Sequence, residues 1–406
     1  MRTILPLLAS TTLIAQTYFP PPDSAGGWRT LSGAAEIRKI AGLDLTRLDQ
    51  AFSFAMRSSA HGGLLVARHG HLVYERYFGQ GHREAHPDMA SIGKAYASIA
   101  CGIVIAEKKG EIPEGLDQKV FTEKYLPEAL PLNDPRKADI RLGHLLSMSS
   151  GMHGDGNNPG FVGGVPGKLE PMTGSNNTPL DVDGNAIRVP MWTSPGEGYS
   201  YSSSSTHLAS MVLRRLAGME LQQYLDTKLA KPMGWGSWGY AIHRQNGTLP
   251  HTPGGGSIAV RATDALRFAY LLLHNGRWGK TQLVPSEYVA LCAKPSAYNR
   301  HSPFGLMFES NAGGHVIGAP RDAYFKSGAG GSAIYVIPSL DMVIYKMAGS
   351  NAQFNPDLTR IAPTYTVDHS RDDWKPVAHT QFDDGPIGGD DGVRRLLEMV
   401  VAAVVN

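Results

Sequence analysis

Strand-like patterns cluster near the two ends of this 406-residue chain, at residues 62–79 and 324–350. The first, GGLLVARHGHLVYERYFG, alternates apolar and polar residues around a His69-Gly70-His71 turn and predicts a β-hairpin. The second predicts another hairpin, with Pro338-Ser339-Leu340-Asp341 at its turn. Because a hairpin must bury its apolar face against another element, we expect the two ends of the chain to join in one antiparallel sheet.

Most of the other patterns in the chain are helical. Apolar residues recur at helical spacing in residues 43–60, 91–108, 138–152, 206–218, 221–234, 254–278 (where a glycine-rich turn leads into the helix) and 391–405. The predicted fold is therefore α+β: an antiparallel β-sheet flanked by N- and C-terminal helices, with a mostly helical insertion. We expect a single unit over residues 17–406, with an α/β part at 17–90 and 255–406 and a helical part at 91–254.

A long stretch rich in glycine, asparagine and proline, residues 153–194, interrupts the helical part. Loops of this length inside a compact fold usually bind ligands or move, so we predict a lid or binding loop. Its segment DVDGN (181–185) matches part of a calcium-binding loop, but the closing glutamate is missing, and a plain Asp-Gly turn is expected. Residues 351–390 show no pattern from which a role can be derived.

The first sixteen residues, MRTILPLLASTTLIAQ, have the composition of a secretory signal peptide: one arginine, a short apolar run, and small residues up to Ala15. We therefore expect export to the periplasm or the extracellular space. A partly buried N-terminal segment is the alternative. The run is too short to span a bilayer, which takes about twenty apolar residues, and we predict no transmembrane segment.

Composition argues against several classes of function. A formal net charge of +2 provides no basic field for nucleic acid. The chain contains neither a CxxC nor an HExxH motif, so no metal site is predicted. Its two cysteines, Cys101 and Cys292, lie in apolar segments and are expected to be free buried thiols, although an exported protein could pair them.

One serine and one lysine stand three residues apart at the start of an alanine-rich helical pattern, as Ser91-Ile92-Gly93-Lys94. On a helix both side chains share a face, so a buried Lys94 with a lowered pKa could take the Ser91 proton. Free backbone N–H groups at a helix start also suit an oxyanion. The alternative is that Ser91 only caps the helix, and S-x-x-K by itself does not decide between them. The nucleophile motif G-x-S-x-G is absent.

Two further segments offer groups that this chemistry needs. Tyr201-Ser202-Ser203 follows a Pro-Gly turn and precedes a helix, and a phenol held near a lysine can act as a general base. Lys326-Ser327-Gly328 lies on a predicted strand before small residues, where a substrate backbone can lie alongside. Lys326 supplies a fixed positive charge, and the N–H of Ala329 can face the same space as that of Ser91.

These three motifs, S-x-x-K, Y-x-[NS] and [KH]-[TS]-G, occur in the order found in the serine β-lactamase and penicillin-binding-protein superfamily. The chain resembles its class C-like branch, which includes AmpC-type β-lactamases, D,D-carboxypeptidases, D-aminopeptidases, 6-aminohexanoate-dimer hydrolases and family VIII carboxylesterases. Four landmark segments are similar to those of the branch: IRLGHLLSMSSGM, PGEGYSYSSSSTHLA, AVRATDALRFAYLLLHNGRW and KSGAGGSAIYVIPSLDMVI. The resemblance covers residues 45–350.

The resemblance implies a hydrolase in which Ser91 attacks a carbonyl carbon while Lys94 or Tyr201 takes the serine proton, and which of the two is the base stays open. The other residues that it assigns, to substrate binding or to the oxyanion, are Ser203, Lys326, Ser327, Gly328 and Ala329. It implies no metal and no organic cofactor. The expected partner is a small ester, amide, β-lactam or peptide substrate.

Departures from the family pattern bear on the substrate. Class C β-lactamases carry asparagine where this chain has Ser203, and that amide usually helps to hold the acyl side chain of a β-lactam. Met148 stands where the branch usually has histidine. Lys326, by contrast, stands where many esterases and D-aminopeptidases have histidine or tryptophan, and it favours substrates with a carboxylate.

These departures order the possible activities. We rank a broad esterase or amidase first, a D,D-peptidase or D-aminopeptidase second and a dedicated β-lactamase third. Outside enzymes, the alternative is a sensor that penicillin acylates without turnover. Nitrocefin, p-nitrophenyl butyrate and a D-Ala-D-Ala peptide, compared side by side, distinguish these activities.

Overall fold

The computed structural model describes residues 18–155, 182–241, 248–249, 251–298, 304–351, 353–354, 359–360, 365–366 and 389–405. The predicted signal peptide lies outside these residues, as do most of the predicted lid and most of residues 351–390. The signal peptide and the lid therefore stay predictions.

The secondary structure of the described residues mixes helices with short and long strands. The α-helices are α1 (Ala34–Glu36), α2 (Leu45–Arg57), α3 (Gly93–Glu107), α4 (Leu142–Leu146), α5 (Val182–Arg188), α6 (Ser203–Ala217), α7 (Leu221–Leu225), α8 (Lys231–Met233), α9 (Ala262–Leu273), α10 (Ser286–Cys292) and α11 (Gly389–Val401). The strands are β1 (His61–Arg68), β2 (His71–Phe78), β3 (Trp238–Ala241), β4 (Thr248–Leu249), β5 (Ile258–Val260), β6 (Arg277–Trp278), β7 (Thr281–Gln282), β8 (Glu309–Ser310), β9 (Tyr324–Gly328), β10 (Ser332–Ile337), β11 (Met342–Gly349), β12 (Thr359–Arg360) and β13 (Tyr365–Thr366).

Six strands form one antiparallel sheet in the order β2-β1-β11-β10-β9-β8. The N-terminal hairpin joins the C-terminal strands through β1, where His61 is opposite Gly349 and Arg68 is opposite Met342 of β11. The α+β prediction, with a sheet built from both ends of the chain, is therefore confirmed.

The second predicted hairpin is a three-stranded meander. The chain reverses at Pro338–Leu340, as predicted, and a second time between β9 and β10. At that second turn Gly330 and Gly331 have φ values of +91° and +85°, a conformation that a Cβ atom disfavours. Gly330 and Gly331 therefore form the turn that joins β9 to β10.

Alternate residues of β1 pack on opposite faces of the sheet. Leu64 and Val66 belong to a core cluster with residues of α2 and α11. Leu65 and Ala67 belong to a second cluster with residues of α3, α6 and α9. Because α2 and α11 pack together on the first face, the N- and C-terminal helices flank the sheet as predicted.

Helix α3 lies at the centre of the second cluster. Its residues from Gly93 to Val104 are buried, and it packs along α6. The stretch Ala90–Glu107 is long and apolar enough to cross a bilayer, but 72% of it is buried inside the fold. A helix that is apolar all round and covered by protein is typical of a core helix.

Cys101 on α3 and Cys292 on α10 are free, buried thiols, as expected. Burial raises the pKa of Cys101 to about 12 and that of Cys292 above its usual range. Both thiols therefore stay protonated and pack as small apolar side chains.

The prediction of an Asp-Gly turn at residues 181–185 is wrong, because residues 182–185 are helical. Helix α5 begins there and carries Asp183 in its first turn, where the helix dipole favours a negative charge. The Asp183 carboxylate accepts hydrogen bonds from His207 and Arg214 of α6. These contacts join residues far apart in the sequence, which a local pattern does not reveal.

Two helical predictions are too long. The pattern at residues 138–152 forms a helix only over Leu142–Leu146. In residues 254–278 the strand β5 precedes the helix, because Ile258–Val260 pairs with β3.

Candidate active site

Ser91 lies in a turn immediately before α3. The turn, Ala90–Ile92, is 3₁₀-helical, and the α-helix begins at Gly93 with Ile92 at the N-cap position. The alternative in which Ser91 serves as the helix cap is therefore wrong. The Ser91 hydroxyl instead accepts a hydrogen bond from Lys94.

The backbone before Ser91 is held in a strained conformation. Ala90 has φ +46°, in the left-handed region, which costs a residue with a Cβ atom about 1–2 kcal/mol. Two hydrogen bonds hold it: the Ala90 N–H donates to Asp88 Oδ1 at 2.8 Å, and the Ser257 N–H donates to the Ala90 carbonyl at 2.9 Å. The turn therefore depends on a loop that is distant in the sequence.

Lys94 is buried directly behind Ser91, with 1% of its surface exposed. Its Nζ lies 3.0 Å from Ser91 Oγ and also donates to the Gly255 carbonyl. Burial lowers the pKa of Lys94 to about 8, although the charges of Asp155 and Asp88 oppose that shift. A substantial fraction of neutral amine is thus present slightly above neutral pH, as a general base requires.

Two glycines let the loop that binds Lys94 approach the helix. A Cβ atom on Gly93 would lie 2.8 Å from the carbonyl carbon of Gly256, closer than real contacts allow. The loop at residues 254–257 therefore packs directly against the first turn of α3. This contact brings the Gly255 carbonyl to Lys94.

Tyr201 stands between two lysines. The Nζ atoms of Lys94 and Lys326 each lie 5.0 Å from the centroid of its ring. Lys326, itself 2% exposed, donates a hydrogen bond to the Tyr201 hydroxyl at 3.2 Å. The Lys326 ammonium group beside the hydroxyl stabilises the negative charge that forms when a phenol gives up its proton.

Strand β9 runs against the Ser91 turn. A Cβ atom on Gly328 would lie 2.1 Å from the Met89 carbonyl oxygen and 3.2 Å from the Ser91 nitrogen. Glycine is thus the residue that permits this approach, and Ala329 follows it at the end of the strand. Ser327 lies half-buried between Lys326 and Gly328.

Ser203 is directed towards Asp155, a residue that sequence reasoning did not assign to the site. The Ser203 N–H lies 2.9 Å from Asp155 Oδ1 and 3.0 Å from Oδ2, and the Ser203 hydroxyl donates to Oδ2. The carboxylate sits at the first turn of α6, where the helix dipole favours it. Asp155 stands 48 residues before its partner, in the segment predicted as a lid, and no motif points to it.

Gln353 is a second residue that the sequence did not assign to the site. Its side-chain amide is buried and donates to the carbonyls of Asp88 at 3.0 Å and Ala329 at 2.8 Å. Its oxygen accepts from the Ser350 N–H at 3.0 Å. Gln353 therefore ties the segment before Ser91 to the end of β9, the two segments whose N–H groups were predicted to hold an oxyanion.

The structure thus brings Ser91, Lys94, Tyr201 and Lys326 together, with Gly328 beside the Ser91 nitrogen and Ala329 next to Gly328 in the chain. The family model for Beta-lactamase matches residues 48–364 of the chain. The chain belongs to the Beta-lactamase family. The matched region of the chain includes every predicted site residue.

A known relative of this chain is named as an esterase. It is 29% identical over 270 residues to esterase EstB from Burkholderia gladioli, a match that covers 62% of this chain and 64% of the esterase. The chain thus spans just under two thirds of that relative's length.

Solved structures share the Beta-lactamase family fold. A presumed β-lactamase from Bacteroides dorei DSM 17855 superposes with a TM-score of 0.62 at 18% identity, covering 89% of this chain and 99% of that one. EstCE1, a hydrolase with promiscuous acyltransferase activity, gives a TM-score of 0.59 at 18% identity, covering 75% and 93%. A penicillin-binding-protein homologue from Caulobacter crescentus gives 0.56 at 15% identity, covering 75% and 91%. At these identities the likeness concerns the fold alone.

Proposed function

We propose that this protein is a serine hydrolase that cleaves esters or amides through a covalent acyl-enzyme at Ser91. The observation that carries the proposal is the 3.0 Å contact between Ser91 Oγ and the Nζ of a buried Lys94 whose pKa is lowered to about 8. A serine hydroxyl is a weak nucleophile until an adjacent base takes its proton, and Lys94 is placed to do so.

In the acylation step, the pair formed by Lys94 and Tyr201 takes the proton from Ser91 Oγ while that oxygen attacks the carbonyl carbon of the substrate. The N–H groups of Ser91 and Ala329 stabilise the resulting oxyanion, and in other hydrolases one such donor contributes about 3–4 kcal/mol. The alkoxide or amine then leaves with a proton from Tyr201, and the acyl group stays bonded to Oγ.

In the deacylation step, Tyr201 takes a proton from a water molecule, whose oxygen attacks the acyl carbon. The ester bond to Oγ breaks, and Ser91 regains its proton from the Lys94–Tyr201 pair. Lys326 supports both steps because its ammonium group, 3.2 Å from the Tyr201 hydroxyl, stabilises the phenolate.

The surroundings of Ser203 favour an esterase or amidase over a dedicated β-lactamase. Its hydroxyl donates its single proton to Asp155 and is not available to donate to a substrate side chain. The carboxylate beside it also repels acidic acyl groups. The relative EstB, named as an esterase, agrees with this preference.

A second candidate is cleavage of peptides or β-lactams, and Lys326 is the observation that favours it. A buried lysine at this position attracts a substrate carboxylate of the kind that D-Ala-D-Ala peptides and β-lactams carry. Rates with p-nitrophenyl butyrate, nitrocefin and a D-Ala-D-Ala peptide, measured in parallel, decide between the candidates. A fluorescent penicillin that labels the protein without turnover would instead indicate a sensor.

The proposed nucleophile is tested by Ser91→Ala. We expect this variant to lose hydrolysis of p-nitrophenyl butyrate and to lose the acyl adduct that intact-protein mass spectrometry detects in the wild type, because the attacking oxygen is gone. Ser53→Ala, at an exposed position of α2, is the matched control and should keep both. Near wild-type hydrolysis by the Ser91→Ala variant would refute the proposal.

Export remains a further proposal, based on the composition of residues 1–16. If the segment is a signal peptide, N-terminal sequencing of the protein recovered from the periplasm or the medium should find it removed. Recovery of the full-length chain in the cytoplasm alone would contradict this proposal.

A further inference from the structure

A buried histidine stands behind the loop that binds Lys94. His207, on α6, has no exposed surface, and the mechanism proposed above does not use it. The Gly254 N–H donates to its Nδ1 at 3.1 Å, and its Nε2 lies 2.7 Å from Asp183 Oδ1. One imidazole thus connects α5, α6 and the loop.

These two contacts fix the protonation state of the ring. Because Nδ1 accepts a hydrogen bond from a backbone N–H, it carries no proton. The proton of the neutral ring therefore lies on Nε2, which donates it to Asp183. If Nδ1 carried a proton, two donors, Nδ1–H and the Gly254 N–H, would face each other. The hydrogen bond between Gly254 and His207 would then be lost.

Asp183 is itself held firmly. Burial alone would raise its pKa, but the hydrogen bond with His207 and the pairing with Arg214, at 2.6 Å, outweigh burial and hold the pKa well below its usual range. His251 lies 3.7 Å from the same carboxylate and 2.9 Å from Glu220. The carboxylate therefore stays charged and keeps the Nε2 proton of His207 in place.

The loop at residues 254–257 connects His207 to Lys94, the proposed base. Gly254 is fixed by His207, and its neighbour Gly255 supplies the carbonyl to which Lys94 donates. Gly254 also lies so close to α6 that a Cβ atom on it would be 2.3 Å from Ser210 Oγ. Contacts between α6 and Gly254 therefore determine the position of the Gly255 carbonyl.

We propose that His207, kept by Asp183 as the neutral Nε2–H form, is a positioning residue for Lys94: it holds Gly254 so that the Gly255 carbonyl orients the lysine amine towards Ser91. The inference rests on the proposed function, in which Lys94 serves as a base. His207 touches neither the substrate nor the reacting atoms, and it acts through two backbone contacts.

The test compares how fast an alkyl fluorophosphonate labels Ser91 in variants at His207. His207→Leu removes the acceptor, and we expect labelling to slow by roughly 10²-fold, the effect of a small misplacement of a catalytic group. His207→Asn places a carbonyl oxygen close to the position of Nδ1, and should restore labelling to within about tenfold of the wild type. With an ester substrate, the leucine variant should lower kcat and leave KM within about threefold, since no substrate contact is removed.

Two further variants keep the test decisive. Leu213→Ala removes a fully buried side chain of the same helix and leaves both hydrogen bonds of His207 in place, so it should lower the melting temperature and leave labelling unchanged. If the leucine variant does not fold, Asp183→Asn replaces it: its amide can donate to Nε2 and shift the ring proton to Nδ1, and we expect labelling to fall by at least about tenfold.

The outcomes separate this inference from the proposed function. Wild-type labelling in a folded His207→Leu variant would overturn the inference, and so would a His207→Asn variant as slow as the leucine variant. Wild-type labelling in Asp183→Asn would overturn it too. Each of these results leaves the proposed function intact, whereas equal labelling of the wild type and Ser91→Ala would overturn the proposed function itself.

Discussion

Burial gives Lys94 the property that a base needs near neutral pH. An exposed lysine has a pKa of about 10.4, so at pH 7 almost none of it is neutral. Surrounding protein disfavours the ammonium form of Lys94 and lowers its pKa to about 8. A serine hydrolase built this way needs no catalytic histidine, and His207 is available for a supporting role.

The pH dependence of acylation follows from this shift. Lys94 must be neutral to take a proton, so kcat/KM should rise with pH through about 8 and level off above it, as a stopped-flow ester assay can measure. Lys94→Arg, which keeps its charge at all these pH values, should lower kcat/KM by about 10²–10⁴-fold.

Lys137 offers the matched control, because it is also buried and its pKa is also lowered by burial to about 8. Its Nζ donates to the Ile187 carbonyl, and it belongs to no predicted site motif. Lys137→Met should therefore leave the rising limb in place. Disappearance of the limb in this control, or its persistence in Lys94→Arg, would contradict the assignment.

At the scale of elements, the site depends on how closely strand β9 approaches the turn before α3. The approach leaves no room for a side chain at Gly328, although the backbone there needs no unusual φ. The glycine of the Lys-Ser-Gly motif is thus explained by space and not by flexibility. Gln353 secures the same junction from its other side.

Gly328→Ala should push β9 away from the Ser91 turn, because the new Cβ atom would lie 2.1 Å from a carbonyl oxygen. We expect kcat to fall by roughly 10²-fold, since the shift would move the Ala329 N–H away from the oxyanion that it is proposed to bind. Gly110→Ala, where nothing lies within 4 Å of the added atom, is the control and should keep wild-type kcat. An alanine variant at 328 with unchanged kcat would show that the close approach is not needed.

At the scale of the whole molecule, a buried charge network fastens the N-terminal segment to α9. The Asp264 carboxylate is fully buried and binds Arg261 at 2.9 Å and Arg267 at 2.7 Å. Arg267, also buried, reaches Asp23 at 2.6 Å. The network stabilises the fold around α9 and includes none of the residues proposed for catalysis.

Asp264→Asn should lower the free energy of unfolding by about 3 kcal/mol, the lower end of the cost of breaking a buried ion pair, because Arg267 loses its buried carboxylate partner but keeps Asp23. Below the melting transition, kcat should stay at the wild-type value. Asp139→Asn removes an exposed partner of Lys119 and should leave the free energy of unfolding close to the wild-type value, as thermal or urea unfolding can verify. Equal losses in the two variants would mean that the buried network contributes nothing special.

The sequence alone predicted the sheet built from both chain ends, because alternation and turn residues are local signals that the fold preserves. It also predicted the residues that meet around Ser91, through ordered motifs and a family resemblance. It missed Asp155, Gln353 and the role of Asp183, since each acts on a partner that is distant in the sequence. The wrong turn at 181–185 has the same cause: tertiary ion pairs override a local Asp-Gly preference.

The dispersal of the site along the chain has a consequence for protein synthesis. Ser91 and Lys94 are translated before β9, β11 and Gln353. A nascent chain that stops before residue 324 carries the nucleophile without Lys326 and without the strand that bears Ala329. The proposed hydrolytic competence should therefore arise only after β9 and Gln353 have been translated.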